Sequence, residues 1–190
     1  MKRCEIKVGG FGGQGIILSG YIIGKAVSLH DKKNSALTQA YGPEARGGAC
    51  SADLVVADDE IHNPFFKAAD ILVLMSQESF NRFAPKLKKE GLLLIDEDLV
   101  EPHDVSGGTR LFTIPAMKIA EGLGKRIIAN IVMLGFFTSM ADVVSKEAME
   151  ASIKSSVPKG TEELNLTAFR AGFDYGVEKR KAGGGGESGG

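Results

Sequence analysis

Residues 9–15 read Gly-Gly-Phe-Gly-Gly-Gln-Gly, and this glycine loop decides how the rest of the chain is interpreted. Residues 4–8 before it are short and alternating, as in a strand, and residues 16–29 after it place apolar side chains on one helical face. Strand, glycine-rich loop and helix form the first unit of an open α/β sheet. Gly10, Gly12 and Gly15 match the G-x-G-x-x-G spacing of dinucleotide-binding loops.

Each of these glycines has an expected role. We expect Gly10 to adopt the positive φ of a tight turn, Gly12 to admit a ligand or a second backbone, and Gly15 to remove a side chain where helix meets strand. The helix then begins with unpaired N–H groups that favour an anion. A helix end contributes about 0.3–1 kcal/mol to an exposed anion and up to about 2 kcal/mol to a partly buried one. Because a micromolar ligand needs about 8 kcal/mol, the loop alone cannot define a binding site.

Composition and charge narrow the class of protein. The chain has 190 residues with 43% apolar and 25% charged side chains, as in one soluble globular domain. With 23 basic and 24 acidic residues, we expect neither a nucleic-acid nor a membrane partner. Cys4 and Cys50 are the only cysteines, which excludes a disulfide framework and a self-contained four-cysteine metal or iron–sulfur site. Without a signal peptide or a membrane-spanning stretch, the sequence predicts a cytoplasmic protein.

The remaining pattern predicts a three-layer, Rossmann-like α/β domain over residues 1–181, with a flexible Gly-rich tail over 182–190. The predicted strands after the first cover residues 34–39, 49–57, 71–75, 92–95 and 110–114. The predicted later helices cover residues 77–87, with Ser76 as N-cap, and then 116–123, 130–140, 146–156 and 161–181. Residues 58–68 contain no helical pattern, so a short antiparallel return is expected to make the mostly parallel sheet mixed. The last helices are additions to the C-terminal side of this fold.

The second strand argues against a nicotinamide site. Such sites place an Asp or Glu at the end of that strand, about 20 residues past the glycines, to bind the ribose hydroxyls. Here the strand ends in Thr38-Gln39-Ala40-Tyr41, and no acidic residue stands there.

Residues 41–48, Tyr-Gly-Pro-Glu-Ala-Arg-Gly-Gly, form a second glycine-punctuated segment with two interpretations. The first is a solvated loop in which Glu44 and Arg46 form a weak surface pair. The second is a loop that recognises an anion or a partner through Arg46, beside the glycine loop at the carboxyl edge of the sheet. The residues alone leave both interpretations open.

Other polar groups are weaker candidates. The acidic residues 96–98 could hold a divalent cation, but capping or solvation is the more common role of acids at a strand end. Asn130 is expected to cap its own helix, and the three histidines are expected at surface or turn positions: His30, His62 and His103. No nucleophile elbow and no Gly-Lys-Ser/Thr phosphate loop is present, so the chain lacks machinery for bond-making chemistry.

Three stretches together resemble the gamma subunit of the 2-oxoacid:ferredoxin oxidoreductases, a group that includes pyruvate, 2-oxoisovalerate and 2-oxoglutarate enzymes. These stretches are residues 9–20, residues 41–48 and residues 69–75, the last reading Ala-Asp-Ile-Leu-Val-Leu-Met. The resemblance covers roughly residues 1–140. It is most similar to the 2-oxoglutarate type, in which the gamma subunit is a separate short chain.

The resemblance implies a non-catalytic subunit of a catalytic complex. Thiamine diphosphate and Mg²⁺ would lie between alpha and beta subunits. Iron–sulfur clusters on these subunits or on a ferredoxin-like delta subunit would pass electrons to ferredoxin. Coenzyme A would take the acyl group, and the gamma chain would help enclose it. The residues implied in that role are Gly10, Gly12, Gly13, Gln14, Gly15, Tyr41, Glu44 and Arg46.

Three alternatives follow from the same residues. The two loops could form only a subunit interface, without touching a ligand. The chain could instead be a stand-alone nicotinamide or flavin enzyme, or an assembly or regulatory protein built on the same fold.

Overall fold

The fold is built on a single six-stranded sheet, seen in a computed structural model that describes residues 3–40 and 49–183. The strands are β1 (Cys4–Phe11), β2 (Asn34–Ala40), β3 (Ala49–Ala57), β4 (Ala69–Leu74), β5 (Leu87–Asp96) and β6 (Arg110–Ile114). Their spatial order is β2-β3-β1-β4-β5-β6. Strand β3 is antiparallel to both neighbours, and the other pairs are parallel. The predicted mixed α/β sheet is therefore confirmed.

The helices of the described ranges cover both faces of this sheet. They are α1 (Ile16–Lys25, continued by a π-helical turn over Ala26–His30), α2 (Gln77–Phe83), α3 (Ala116–Gly122), α4 (Ala129–Met140), α5 (Lys146–Lys154) and α6 (Glu162–Gly183). Helices α1 and α3–α6 contribute to the larger core on one face, whereas α2 packs with a smaller core on the other. The result is the three-layer arrangement that the sequence predicts.

The antiparallel strand has a simple cause. Two parallel neighbours need a long crossover, usually a helix, between them. Residues 58–68, between β3 and β4, form no helix. The neighbours β2 and β3 are separated along the chain by only eight residues, 41–48, which are also too few for a crossover, so β3 lies antiparallel beside β2. Strand β1, on the other side of β3, is antiparallel to it as well, and β4 lies parallel beside β1.

This topology also bears on the nicotinamide interpretation. In the dinucleotide-binding fold, the strand that carries the acidic ribose ligand lies directly beside the first strand. Here β3 separates β2 from β1, and β2 forms the edge of the sheet. The end of β2 therefore lies one strand further from the glycine loop than such a ligand requires.

One predicted helix is shorter than expected. The prediction of a helix over residues 77–87 is wrong in its second half, because α2 ends at Phe83 and a 3₁₀ turn follows over Ala84–Lys86. Pro85 lacks the N–H that would continue the α-helical ladder. Leu87 instead begins β5 and pairs with Ala69 of β4. The predicted cap is confirmed: the Ser79 N–H donates to the Ser76 hydroxyl at 3.2 Å.

Helices α4 and α6 form the centre of the larger core. Every residue of α4 is buried. A Cβ on Gly135 of α4 would lie 1.9 Å from the Phe169 carbonyl oxygen, and one on Gly172 of α6 would lie 1.9 Å from the Val132 carbonyl oxygen. Glycine therefore lets the two backbones approach directly.

Helix α6 runs to Gly183, two residues past the predicted end of the domain, and the rest of the predicted tail lies outside the described residues. None of the helices in the described ranges combines the length and apolar character that crossing a bilayer requires.

Candidate functional site

The glycine loop leaves the carboxyl end of β1 and turns directly into α1. Positive φ angles occur at Gly13 (94°) and Gly15 (72°). The expectation of a positive φ at Gly10 is wrong, because Gly10 lies within β1 opposite Cys50. A Cβ there would lie 2.5 Å from the Gln14 side-chain oxygen, so a larger residue at position 10 would displace the Gln14 amide.

The Gln14 amide fixes the loop to the sheet. Its Oε1 accepts the Phe11 N–H at 2.7 Å, and its Nε2 donates to the Met75 carbonyl at 2.9 Å. The Met75 N–H in turn donates to the Gly9 carbonyl at 2.9 Å. Gln14 thus joins the ends of β1 and β4, a role that its place among the glycines does not reveal.

Asn130 supports the loop from the opposite side. Its Nδ2 donates to the Gly15 carbonyl at 3.3 Å and to the Ser19 hydroxyl at 3.4 Å. The expectation that Asn130 caps its own helix is wrong, because the N-cap of α4 is Ile128 and Asn130 lies inside the helix. The expected reason for Gly15 is wrong too. A Cβ there would lie 2.4 Å from the Asn130 amide nitrogen. The glycine therefore leaves room for a side chain of helix α4, not for a strand.

The start of α1 is open to an anion. Its N-cap is Gly15, no side chain caps it, and its first turn carries no acidic residue. A Cβ on Gly12 or Gly13 would meet nothing within 4 Å, so the outer side of the loop is open space. Backbone N–H groups at a helix start with no competing carboxylate favour a negative group.

Two clefts border the loop. One, of about 280 Å³, is lined by Gly13, Gln14, Met75, Met117, Arg126, Ile127, Ala129 and Asn130. The second, of about 270 Å³, is mainly apolar and is lined by Gly13, Gly15, Leu18, Lys125, Ile127, Ile128, Asn130, Ile131, Val157, Pro158, Thr161, Leu164 and Asn165.

Lys125 and Arg126 add positive charge that sequence reasoning missed. Both are exposed and lie in the connection between α3 and α4. Arg126 pairs with Glu121 at 3.0 Å, and both side chains remain accessible to solvent. The adjacent basic pair after Gly124 was the only sequence signal, and nothing linked it to a loop more than 100 residues earlier.

The second segment of the predicted site, which includes Tyr41, Glu44 and Arg46, lies outside the described residues. Its flanking strands are described. Ala40 pairs with Ser51, and Ala49 pairs with Phe11 at the end of β1. The strands that enter and leave residues 41–48 therefore end at the same edge of the sheet as the glycine loop.

The acidic residues 96–98 act on the next helix. Asp96 is fully buried, and its carboxylate accepts the N–H groups of Asp98 at 3.1 Å and Met117 at 3.2 Å. Burial raises the pKa of Asp96 to about 6, and these N–H groups oppose that rise. Asp98 pairs with Lys118 at 2.7 Å. The capping interpretation fits this geometry, and within residues 3–40 and 49–183 no group of three His, Cys, Asp or Glu residues is arranged to hold a metal ion.

Neither the thiols nor the histidines belong to the loop site. Cys4 and Cys50 are free and buried, and burial raises the pKa of Cys4 to about 12. The three histidines are exposed, which confirms their predicted positions: His30, His62 and His103.

Comparison with known proteins gives consistent matches over most of the chain. The profile of the pyruvate ferredoxin/flavodoxin oxidoreductase family matches residues 5–175. The chain is 47% identical over 178 residues to the 2-oxoglutarate synthase subunit KorC of Methanocaldococcus jannaschii, covering 93% of this chain and 95% of that protein.

Two solved structures share the fold. The gamma subunit of a keto/oxoacid ferredoxin oxidoreductase from Geobacter sulfurreducens superposes with a TM-score of 0.83 at 35% identity, covering 94% of this chain and 98% of that one. A 2-oxoglutarate:ferredoxin oxidoreductase from Magnetococcus marinus, solved with 2-oxoglutarate, coenzyme A and succinyl-CoA, has a TM-score of 0.83 at 21% identity. That match covers 96% of this chain but 32% of the other, so the same fold there is part of a longer chain.

Proposed function

The chain belongs to the pyruvate ferredoxin/flavodoxin oxidoreductase family, and we propose that it is the gamma subunit of a 2-oxoglutarate:ferredoxin oxidoreductase. The observation that carries this function is the 47% identity to a 2-oxoglutarate synthase subunit across almost the full length of both chains. The Geobacter gamma subunit, likewise matched along nearly its whole length, supports the subunit assignment.

The proposed reaction is the oxidative decarboxylation of 2-oxoglutarate to its acyl-CoA, with electrons passed to ferredoxin. Alpha and beta subunits would hold thiamine diphosphate and Mg²⁺, and they or a delta subunit would hold the iron–sulfur clusters. Thiamine diphosphate supplies the decarboxylation chemistry when it is bound. This chain brings two buried cysteines and no acidic group in its loop clefts among the described residues, so its own contribution is binding and enclosure. We place the complex in the cytoplasm.

The glycine loop is proposed to face coenzyme A. The phosphates of coenzyme A match the open start of α1 and the positive charges of Lys125 and Arg126. On this proposal the residues of the two loops that enclose the ligand are Gly10, Gly12, Gly13, Gln14, Gly15, Tyr41, Glu44 and Arg46. Within that set, the outer surface of Gly12 and Gly13 is free for the ligand, whereas Gly10 and Gln14 shape the loop from within.

The magnitude of the helix-end effect shows why a partner is needed. A helix start supplies at most about 2 kcal/mol, against about 8 kcal/mol for micromolar binding. Exposed lysine and arginine side chains add little, because water and salt screen them. A site completed by a second subunit removes water from the same groups and strengthens each contact. The loop therefore fits one wall of a site shared between subunits.

The experiment that tests the function is purification of the tagged chain from its native cell. Ferredoxin reduction is then assayed with the purified complex and with the isolated chain. We expect co-purification of larger subunits that contain iron and thiamine. The complex should reduce ferredoxin only with both 2-oxoglutarate and coenzyme A, and the isolated chain should be inactive. A lone chain that oxidises 2-oxoglutarate, or that retains bound nucleotide, would contradict the proposal.

The Arg46→Ala variant separates ligand contact from interface contact. If Arg46 binds a phosphate of coenzyme A, the complex assembles normally and the apparent KM for coenzyme A rises, by about tenfold for the loss of one charge-assisted hydrogen bond. If residues 41–48 serve only the interface, assembly is lost instead. Unchanged assembly and unchanged KM would show that Arg46 has neither role.

A further inference from the structure

The outward side of α1 carries exposed apolar side chains that begin beside the loop site and continue along the helix. Leu18 is 36% exposed, Tyr21 50% and Leu29 66%. With 3.6 residues per turn, positions 18, 21 and 29 lie on one side of the helix and of the π-helical turn that continues it. Ile127, 74% exposed, lines the same cleft as Leu18. We call these four residues the α1 stripe.

The stripe is concentrated on one part of the surface. Five large apolar side chains are exposed in the described ranges, and only Phe65 lies outside the stripe. The stripe borders two clefts, the apolar one of about 270 Å³ beside Leu18 and another of about 290 Å³ beside Tyr21 and Leu29. Apolar side chains grouped around shallow clefts mark an interaction surface, whereas singly scattered ones do not.

Two lysine side chains lie around the stripe, and their charge favours one kind of partner surface. Lys125 lines the first cleft and Lys25 the second, and no described Asp or Glu lines either. Lys25 lies 5.9 Å from the centre of the Tyr21 ring. Two copies of this surface would bring lysines together around an apolar centre, which is unfavourable. An apolar surface rimmed by Asp and Glu is complementary to it.

The longer Magnetococcus chain indicates where such a surface belongs. The present fold occupies about a third of that chain, joined covalently to the remainder. A separate chain of this fold must hold the corresponding neighbour by contacts alone. We propose that the α1 stripe docks onto the oxidoreductase subunit that corresponds to that remainder, through an apolar patch rimmed by acidic side chains. This inference rests on the proposed function and adds the surface that holds the complex together.

The test measures the dissociation constant between this chain and the complex that lacks it. Tyr21→Asp and Leu29→Asp place a carboxylate at the centre of the contact, and each is expected to raise the dissociation constant by roughly 30-fold, the scale of interface hot spots. Phe65→Asp is the matched control. It also replaces an exposed apolar side chain with a carboxylate. Its neighbour Phe66 packs with the smaller core, on the face of the sheet opposite to α1. We expect it to change the constant by less than about twofold.

Further measurements separate misfolding and self-association of a variant from a loss of docking. Circular dichroism of each isolated variant should match the wild type, and Tyr21→Ala provides a milder variant if the carboxylate disturbs folding. Stripe variants that bind like the wild type, or a Phe65→Asp variant that is weakened as much, overturn the docking surface while the proposed function stands. A chain that forms a dimer alone, dissolved by Tyr21→Asp, also overturns it in favour of a second copy. A wild-type chain that binds no oxidoreductase subunit overturns the proposed function itself.

Discussion

At the scale of single residues, three loop glycines differ in what a methyl group would meet. Gly12→Ala adds a methyl to open space and should leave the free energy of unfolding within about 0.5 kcal/mol of the wild type. Gly13→Ala enters open space at φ 94° and should cost about 1–2 kcal/mol for backbone strain alone. Gly15→Ala combines φ 72° with a contact at 2.4 Å to the Asn130 amide and should cost about 3 kcal/mol. Urea unfolding of the three variants measures this order.

A second background isolates the Asn130 contact. In an Asn130→Ala chain, the obstacle to a Gly15 side chain is gone but the positive φ remains. Gly15→Ala should then cost only about as much as Gly13→Ala does in the wild type. An undiminished cost in that background would show that Asn130 is not what requires glycine at position 15.

The Asp96 carboxyl gives a pH dependence of defined sign. Burial raises its pKa from 3.8 to about 6. The folded state therefore holds this proton more tightly than the unfolded state, and the resulting stability is complete below about pH 4 and is lost as the pH rises through 6. Relative to Asp96→Asn, which does not titrate, the wild type should lose about 2 kcal/mol between pH 4 and pH 7.

Denaturant unfolding across that pH range measures the difference. Asp104→Asn is the control for the Asp→Asn change itself, because the Asp104 side chain is 99% exposed. A wild type that gains stability over Asp96→Asn with rising pH would mean that the N–H groups of Asp98 and Met117 outweigh burial.

At the scale of elements, the contact between α4 and α6 depends on glycine. Gly135→Ala and Gly172→Ala each place a methyl 1.9 Å from a carbonyl oxygen of the other helix. Backbone cannot move aside as a side chain can, so the helices must separate, at a cost of about 3 kcal/mol each. The melting temperature should fall by roughly 6–12 °C.

Gly122, the last residue of α3, is the control for Gly135 and Gly172, because it is also a glycine within a helix. A Cβ there meets nothing within 4 Å, so Gly122→Ala should raise stability by up to about 1 kcal/mol through helix propensity. Equal melting temperatures for Gly122→Ala and Gly135→Ala would contradict the packing explanation.

Periodic elements and local caps could be predicted from the sequence, whereas contacts between distant segments could not. The bounds predicted for β3 and β6 agree with the structure, because alternation and turn residues are local features. The end of α2 was misplaced, since the pairing of Leu87 with β4 competes with helix propensity there. The roles of Gly15 and Asn130 depend on a contact across 115 positions, for which a single sequence carries no signal.

At the scale of the whole molecule, one helix connects the two proposed surfaces. The N-terminus of α1 meets the glycine loop, and the outward side of α1 and of its π-helical continuation carries three of the four stripe residues. Because Leu18 and Ile127 line a cleft that borders the loop, docking through the stripe would bring the partner subunit close to the loop and to Lys125. Assembly and coenzyme A binding should therefore depend on each other in this complex.

The longer chain of the same fold suggests a rescue experiment for the whole complex. Joining this chain to its partner through a flexible linker of about 20 Gly and Ser residues spans about 25 Å on average. A short flexible linker supplies an effective concentration in the millimolar range, far above a dissociation constant weakened 30-fold from the nanomolar range. The linked Tyr21→Asp variant should therefore regain coenzyme A-dependent ferredoxin reduction at dilutions where the unlinked variant is inactive. The linked wild type is the control for the linker itself. If the linked variant stays folded and inactive, Tyr21 is needed for more than docking, and the stripe would belong to the reaction site.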